Sequence, residues 1–185
     1  PDCISDDILK KIAALCDKTF VSIELGLQTV NEKTVNYIRR GYENSVYDEA
    51  VRKIHNANSA IHVVTHVIFG LPGETETDML ASVRYCVHAG SDGIKISVLH
   101  ILRGTDIADD YEAGKFKCLE MEKYFELVSK ALEEISPQMI IHRLTGDGAK
   151  KLLIAPLWTA QKHIVHNAMA RYFDEHDVIQ GKRFR

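Results

Sequence analysis

The sequence predicts an α/β fold, a partial (βα) barrel of the TIM type with mainly parallel strands. Three observations carry that expectation. Apolar runs of strand length alternate with segments of helical period at intervals of roughly thirty to forty residues, the rhythm of βαβ units. The runs are nearly continuous in apolar residues, as strands buried on both faces are. Three or four such units fall short of a complete eight-fold barrel of about 250 residues, so an open half-barrel suits a chain of 185 residues.

The elements follow in order. Ile8 to Cys16 is apolar at 8, 12, 15 and 16, a helical spacing with Ser5 as N-cap. Phe20–Gln28 (FVSIELGLQ) reads as the first strand. Thr29 with Glu32 has the form of a capping box, which predicts a helix to Arg40 that stops at Gly41. Ser45 with Asp48 repeats the device for a helix ending near Asn58. Ile61–Gly70 is the second strand, and Thr75 with Asp78 opens a helix that Gly90 closes. Gly93–Leu102 is the third strand, ending at Arg103-Gly104-Thr105. After a polar stretch, a helix is expected from about Leu119 to Ile135, with Pro137 ending it. Met139–Leu144 is a short fourth strand, and a final helix is expected around 160–173.

Composition narrows the function classes. Hydrophobic residues make up 45% and charged residues 26%, a globular balance. The formal net charge of −3 gives no global basic field for nucleic acid. No apolar stretch approaches the ~20 residues that span a bilayer, so no membrane is expected. The opening PDCISDD has neither Met nor a signal-peptide pattern, and a piece of a longer protein is the expectation. Cys3, Cys16, Cys86 and Cys118 form no CxxC or CxxxC pair, so metal ligation by this chain alone is not expected. Reduced thiols and a cytoplasmic location follow from the same usage.

In parallel α/β folds the functional residues sit at the carboxyl ends of the strands. That rule selects Gly26-Leu27-Gln28, Gly70-Leu71-Pro72-Gly73-Glu74, Arg103-Gly104-Thr105, and His142-Arg143 with Thr145-Gly146-Asp147. Glycine at a strand end lets a flat ligand lie against backbone, though a tight βα turn chosen for geometry has the same composition. Gln28 and Arg40, twelve residues apart, could hold the two ends of a small zwitterion. Arg40 at a helix C-terminus is equally a dipole-compensating cation.

The stretches SIELGLQTVNEKTVNYIRRGY and HVIFGLPGETETDM resemble the C-terminal half of a radical S-adenosylmethionine (SAM) barrel. The pattern is that of the oxygen-independent coproporphyrinogen oxidases and the Elongator-type tRNA-modifying enzymes. There a strand ends in G-x-Q-[ST], an Arg follows twelve residues later, and a later strand ends in I-x-G-L-P-x-[EQ]-T. GIKISVLHILRGTDIADDY, HRLTGD and APLW extend the likeness to a bacterial family of iron–sulfur oxidoreductases. The resemblance implies that Gln28 and Arg40 hold the methionyl end of SAM, with Arg40 on the carboxylate. It implies that Ile68, Phe69 and Gly70 line the adenine and that Val98 and Leu99 back it. His66 stands where the coproporphyrinogen oxidases carry a ribose-binding Asp.

The resemblance also implies a [4Fe–4S] cluster, held by cysteines of a loop after the first barrel strand that nothing here matches. Residues 1–185 are therefore expected to be a single domain: the later strands of a radical SAM core and a C-terminal helical extension, without the cluster-binding part. The full-length protein would cleave SAM reductively, drawing on an electron donor, and direct 5′-deoxyadenosyl radical chemistry at a small-molecule or RNA substrate. The fragment alone would be inactive and prone to self-association.

His142, Arg143 and Asp147 are the candidate catalytic residues, an imidazole, a cation and a carboxylate able to bind an anion or move protons. An Arg143–Asp147 ion pair bracing a turn explains the same residues. Two other functions fit the sequence: an α/β-barrel enzyme binding phosphate at the Thr75 helix N-terminus with Lys95 as Schiff-base lysine, and a non-catalytic interaction module.

Overall fold

A computed structural model describes residues 1–146 and 148–184. Asp147 lies outside the described residues. In chain order the elements are α1 (Asp6–Ala13), β1 (Ser22–Gln28), α2 (Glu32–Tyr37), α3 (Asn44–Ala57), β2 (His62–Phe69), α4 (Glu76–His88), β3 (Gly93–Val98), β4 (Ile101–Leu102), α5 (Asp106–Glu112), α6 (Met121–Glu134), β5 (Ile140–Arg143), β6 (Leu153–Ala155), a 3-10 turn (Leu157–Ala160) and α7 (Lys162–Glu175).

β1, β2, β3 and β5 form one parallel sheet in the order β1-β2-β3-β5, the arrangement expected of a partial barrel. Leu25, Leu27, Val63, Val67, Phe69, Ile94, Ile96 and Val98 are buried with Tyr47, Val51 and Ile54 of α3, Val83 and Cys86 of α4, and Tyr124, Phe125 and Val128 of α6. Each large apolar side chain so buried contributes about 1.5–3 kcal/mol. Three buried hydroxyls inside this layer find partners in one another. Tyr47, Thr65 and Ser91 bond one another through their hydroxyls at 2.6–2.7 Å.

Among the described residues, no helix covers the opposite face. It carries Glu24, His66, Lys95 and His142, so the strands are buried on one face rather than on both. An open sheet leaves that face accessible, whereas a closed barrel would enclose it.

Local signals explain two of the expected helix starts but not that of α3, where Glu43 stands at the N-cap without a side-chain bond and Ser45 and Asp48 lie inside the helix. Ser5 caps α1, and Thr75 and Asp78 form the expected capping box of α4. The β1–α2 connection departs from expectation. Asn31, not Thr29, caps α2, which is only 6 residues long, and Thr29 turns instead toward Glu74. The predicted third strand breaks after Val98, and its last residues, as β4, pair antiparallel with β6. The polar stretch after Thr105 contains α5.

Candidate functional site

β1, β2 and β3 end together at Gln28, Phe69 and Val98, and a cavity of about 670 Å³ opens at that end. Its floor is apolar: Ile38, Ile68, Leu71, Leu99 and Ile107, members of a small second core around Ile101 and Ala155. Gln28, Arg39, Arg40 and Tyr42 line one wall, and Asp106 and Asp110 of α5 the other. Of the residues singled out in the sequence, Gln28, Arg40, Ile68 and Leu99 thus share one cavity.

Gln28 is the most constrained of them. Its backbone is left-handed, φ 60°, and the β1–β2 register shifts beside it. A non-glycine residue stays in that conformation only where its surroundings over-determine it. Its amide folds back over Gly26, where a Cβ would come within 2.5 Å of Nε2. The amide oxygen Oε1 is buried and accepts no hydrogen bond among the described residues. A buried acceptor without a donor is costly, about 1–3 kcal/mol, unless a ligand or water supplies one.

Arg40 works as a clamp. Nη1 donates to the Leu27 and Thr29 carbonyls at 3.0 and 2.8 Å and to Asn44 Oδ1 at 3.0 Å. Nε and Nη2 both donate to the Tyr42 carbonyl, and the guanidinium lies 4.7 Å from the Tyr42 ring centroid. Burial lowers its pKa. A ligand carboxylate at Arg40 would have to share these donors. Tyr42 in turn donates its hydroxyl to the Gly26 carbonyl, and burial raises its pKa.

Gly70 is left-handed at φ 84°, and a Cβ there would meet Leu119 at 2.9 Å. Phe69 and Val98 turn their side chains away into the helix-covered core, Phe69 edge-on to Tyr124. Only their main chain borders the strand ends. Across the cavity mouth, Tyr37 donates to Asp110 Oδ2 at 2.6 Å, and Arg39 pairs with Asp106. Burial and the Asp110 carboxylate push the Tyr37 phenol up to about 12, while Lys115, foremost, and Tyr37 hold Asp110 below the usual carboxylate range.

His66 lies on the open face of the sheet and is not among the cavity-lining residues. Its Nε2 bonds Glu24 Oε2 at 2.7 Å, and Lys95 Nζ donates to Glu24 Oε1 at 2.5 Å. Lys95, foremost, and His66 lower the Glu24 pKa. A lysine held in an ion pair is poorly placed to attack a carbonyl. His142 is set apart from the cavity for a different reason. β5 is short and pairs with the start of β3, Gly93 to Lys95, so its carboxyl end lies below the level of Val98. There His142 Nε2 meets His62 Nε2 at 3.0 Å. Arg143 is exposed beside it, and Asp147 lies outside the described residues. Thr75 and Asp78 already satisfy each other at the start of α4, and Glu76 adds a second carboxylate, which disfavours phosphate there.

Leu71 was marked only as part of a strand-end turn, and sequence reasoning missed Tyr37, Ile38, Arg39, Tyr42, Asp106, Ile107 and Asp110 as cavity residues. Apolar positions 107, 108 and 111 were the available sign that α5 forms and packs.

A parallel α/β half-barrel with its cavity at the carboxyl ends of the strands defines the class. Residues 2–86 match the model of the Radical SAM superfamily, and 91–175 match that of the Radical SAM C-terminal domain. The chain belongs to the radical SAM superfamily. It is 39% identical to the uncharacterized protein YtqA of Bacillus subtilis over 100% of this chain and 57% of that one. The chain thus spans little more than half of that relative's length. Among solved structures, the archaeal Methanocaldococcus infernus Elp3 superposes with a TM-score of 0.76 at 18% identity, covering 92% of this chain and 40% of that one. Streptococcus suis SuiB bound to S-adenosylmethionine gives a TM-score of 0.55 at 12% identity, covering 86% and 33%. At these identities the two structures speak to the fold alone.

No helix among the described residues is long and apolar enough to cross a membrane.

Proposed function

We propose that the cavity between Gln28 and α5 binds SAM and that the chain is the SAM-binding later portion of a radical SAM enzyme. The observation that carries the reading is the orphaned, buried Gln28 Oε1, held in a left-handed residue at the edge of a cavity large enough for a nucleoside. A small rotation of this amide would offer its acceptor to the ammonium or a hydroxyl of the ligand. Ile68 and Leu99 would sandwich the adenine edge, with the bare backbone at Gly70 beside it. Arg40 would keep the Gln28 turn in shape and share a donor with the methionyl carboxylate. In the family, SAM supplies the adenosyl radical.

The residues present do not fit the cluster. Cys3, Cys16, Cys86 and Cys118 are all free thiols, and no group of three or more metal-ligating side chains converges among the described residues. In our reading the cluster thiolates, the electron donor and the oxidoreductase activity on a small-molecule or RNA substrate belong to the whole protein. His66, His142, Arg143 and Asp147 are proposed to serve that substrate side rather than SAM.

Calorimetric titration of this chain with SAM tests the reading. Binding is expected, and Gln28→Leu is expected to weaken it about tenfold, roughly 1.4 kcal/mol, the worth of one hydrogen bond. Equal affinity in the two proteins would contradict the assignment.

A further inference from the structure

Two buried side-chain oxygens accept no hydrogen bond among the described residues, Gln28 Oε1 and Glu74 Oε2, and both belong to the neighbourhood of one turn. Gln28 lines the cavity, whereas Glu74 does not. Glu74 Oε1 accepts from the hydroxyl of Thr29, the residue after Gln28 and itself fully buried. Thr29 is a junction. Its hydroxyl oxygen also accepts from the Asn31 N–H at 3.0 Å, and its carbonyl accepts from Arg40 Nη1 at 2.8 Å. The Glu74 carboxyl therefore ties the turn after β2 to the turn after β1, the two turns that frame the cavity.

We propose that Glu74 is a positioning residue of the cavity, its carboxyl acting as a hydrogen-bond acceptor that fixes Thr29 and, through it, the left-handed conformation of Gln28. The ligand in this inference rests on the SAM reading, but the geometry does not. Gln28 adopts a backbone conformation that needs external restraint, and the Glu74–Thr29 bond supplies one. Burial, foremost, raises the Glu74 pKa, with the Thr29 and Thr34 hydroxyls opposing and Asp78 adding to the rise. No cation contributes to that balance. The group thus serves by shape and hydrogen bonding, which an amide can reproduce, rather than by charge.

The test compares this chain with Glu74→Gln, Glu74→Ala and Thr29→Val, using hydrogen exchange at residues 28–31 and titration with SAM. Glu74→Ala and Thr29→Val are expected to speed exchange at 28–31 and to weaken SAM binding, each by about tenfold. Glu74→Gln is expected to leave both within about twofold of the parent. Either of two results would overturn the inference: exchange at 28–31 unchanged in both Glu74→Ala and Thr29→Val, or Glu74→Gln losing as much as Glu74→Ala. If the parent binds no SAM, the ligand assignment falls while the exchange data still decide the role of Glu74.

Discussion

His62 and His142 meet Nε2 to Nε2 at 3.0 Å although their strands, β2 and β5, are not neighbours. β3 runs between them, and at the crossing it carries Gly93, where a Cβ would lie 2.6 Å from the His142 ring and 2.9 Å from His62 Nε2. The bond requires one imidazole to donate and the other to accept, so it cannot survive double protonation.

Burial, foremost, with His62 and Lys95, lowers the His142 pKa below its ordinary value near 6.5. A histidine whose folded pKa is lowered binds fewer protons folded than unfolded. Stability therefore falls as pH drops through about 6.5 toward the folded pKa. His142→Gln is expected to flatten that part of the stability–pH curve, measured by urea unfolding between pH 5 and 8. Gly93→Ala is expected to part the rings and bring the His142 pKa closer to 6.5, read from imidazole NMR shifts. An unmoved pKa would contradict this account of the pair.

Arg40 holds four acceptors on its own chain. Arg40→Ala is expected to destabilise the fold by about 1–3 kcal/mol in denaturant unfolding, because half-buried carbonyls lose their donors. Arg40→Lys is expected to recover less than half, since an ammonium cannot spread over the same arc. A destabilisation under about 0.5 kcal/mol would show that the clamp is dispensable.

Gly26 makes room for the Gln28 amide, and its own φ is not left-handed. Gly26→Ala is therefore expected to displace a flexible amide at little cost in stability. SAM affinity should drop at least as far as in Gln28→Leu, while the thermal midpoint stays within a few degrees of the parent. A variant that keeps parental affinity would detach Gln28 from the ligand.

β1 and β5 are the edges of the four-stranded sheet, and Phe20 and Ile140 are 72% and 52% exposed beside them. Unpaired strand edges with apolar side chains template association. Light scattering of this chain is expected to show mass rising with concentration. One monomer mass across the range would contradict the expectation.

What the sequence disclosed was local. The apolar runs located β1, β2 and β3, and Thr75 with Asp78 marked the start of α4 because a capping box spans only four residues. The cavity positions Gln28, Ile68 and Leu99 were legible because strand ends and their motifs lie on single stretches. The roles that stayed hidden depend on distant partners. Thr29 has the spacing of a cap, but Glu74, 45 residues on, takes its hydroxyl. His66 reads as a ligand-side residue until the β1–β2–β3 register brings Glu24 and Lys95 to it. His142 reads as a strand-end residue until the short pairing of β5 with Gly93–Lys95 keeps it near the start of β3, its ring beside Gly93. β4 and β6 are too short, at two and three residues, for periodicity to register.

The most direct test of the central claim is hydrogen exchange of this chain with and without SAM, resolved along the sequence. SAM is expected to slow exchange at residues 26–29, 37–42, 68–71 and 106–110, which surround the cavity, and to leave 140–143 unchanged. Protection confined to other segments, or none at saturating SAM, would contradict the cavity as the cofactor site.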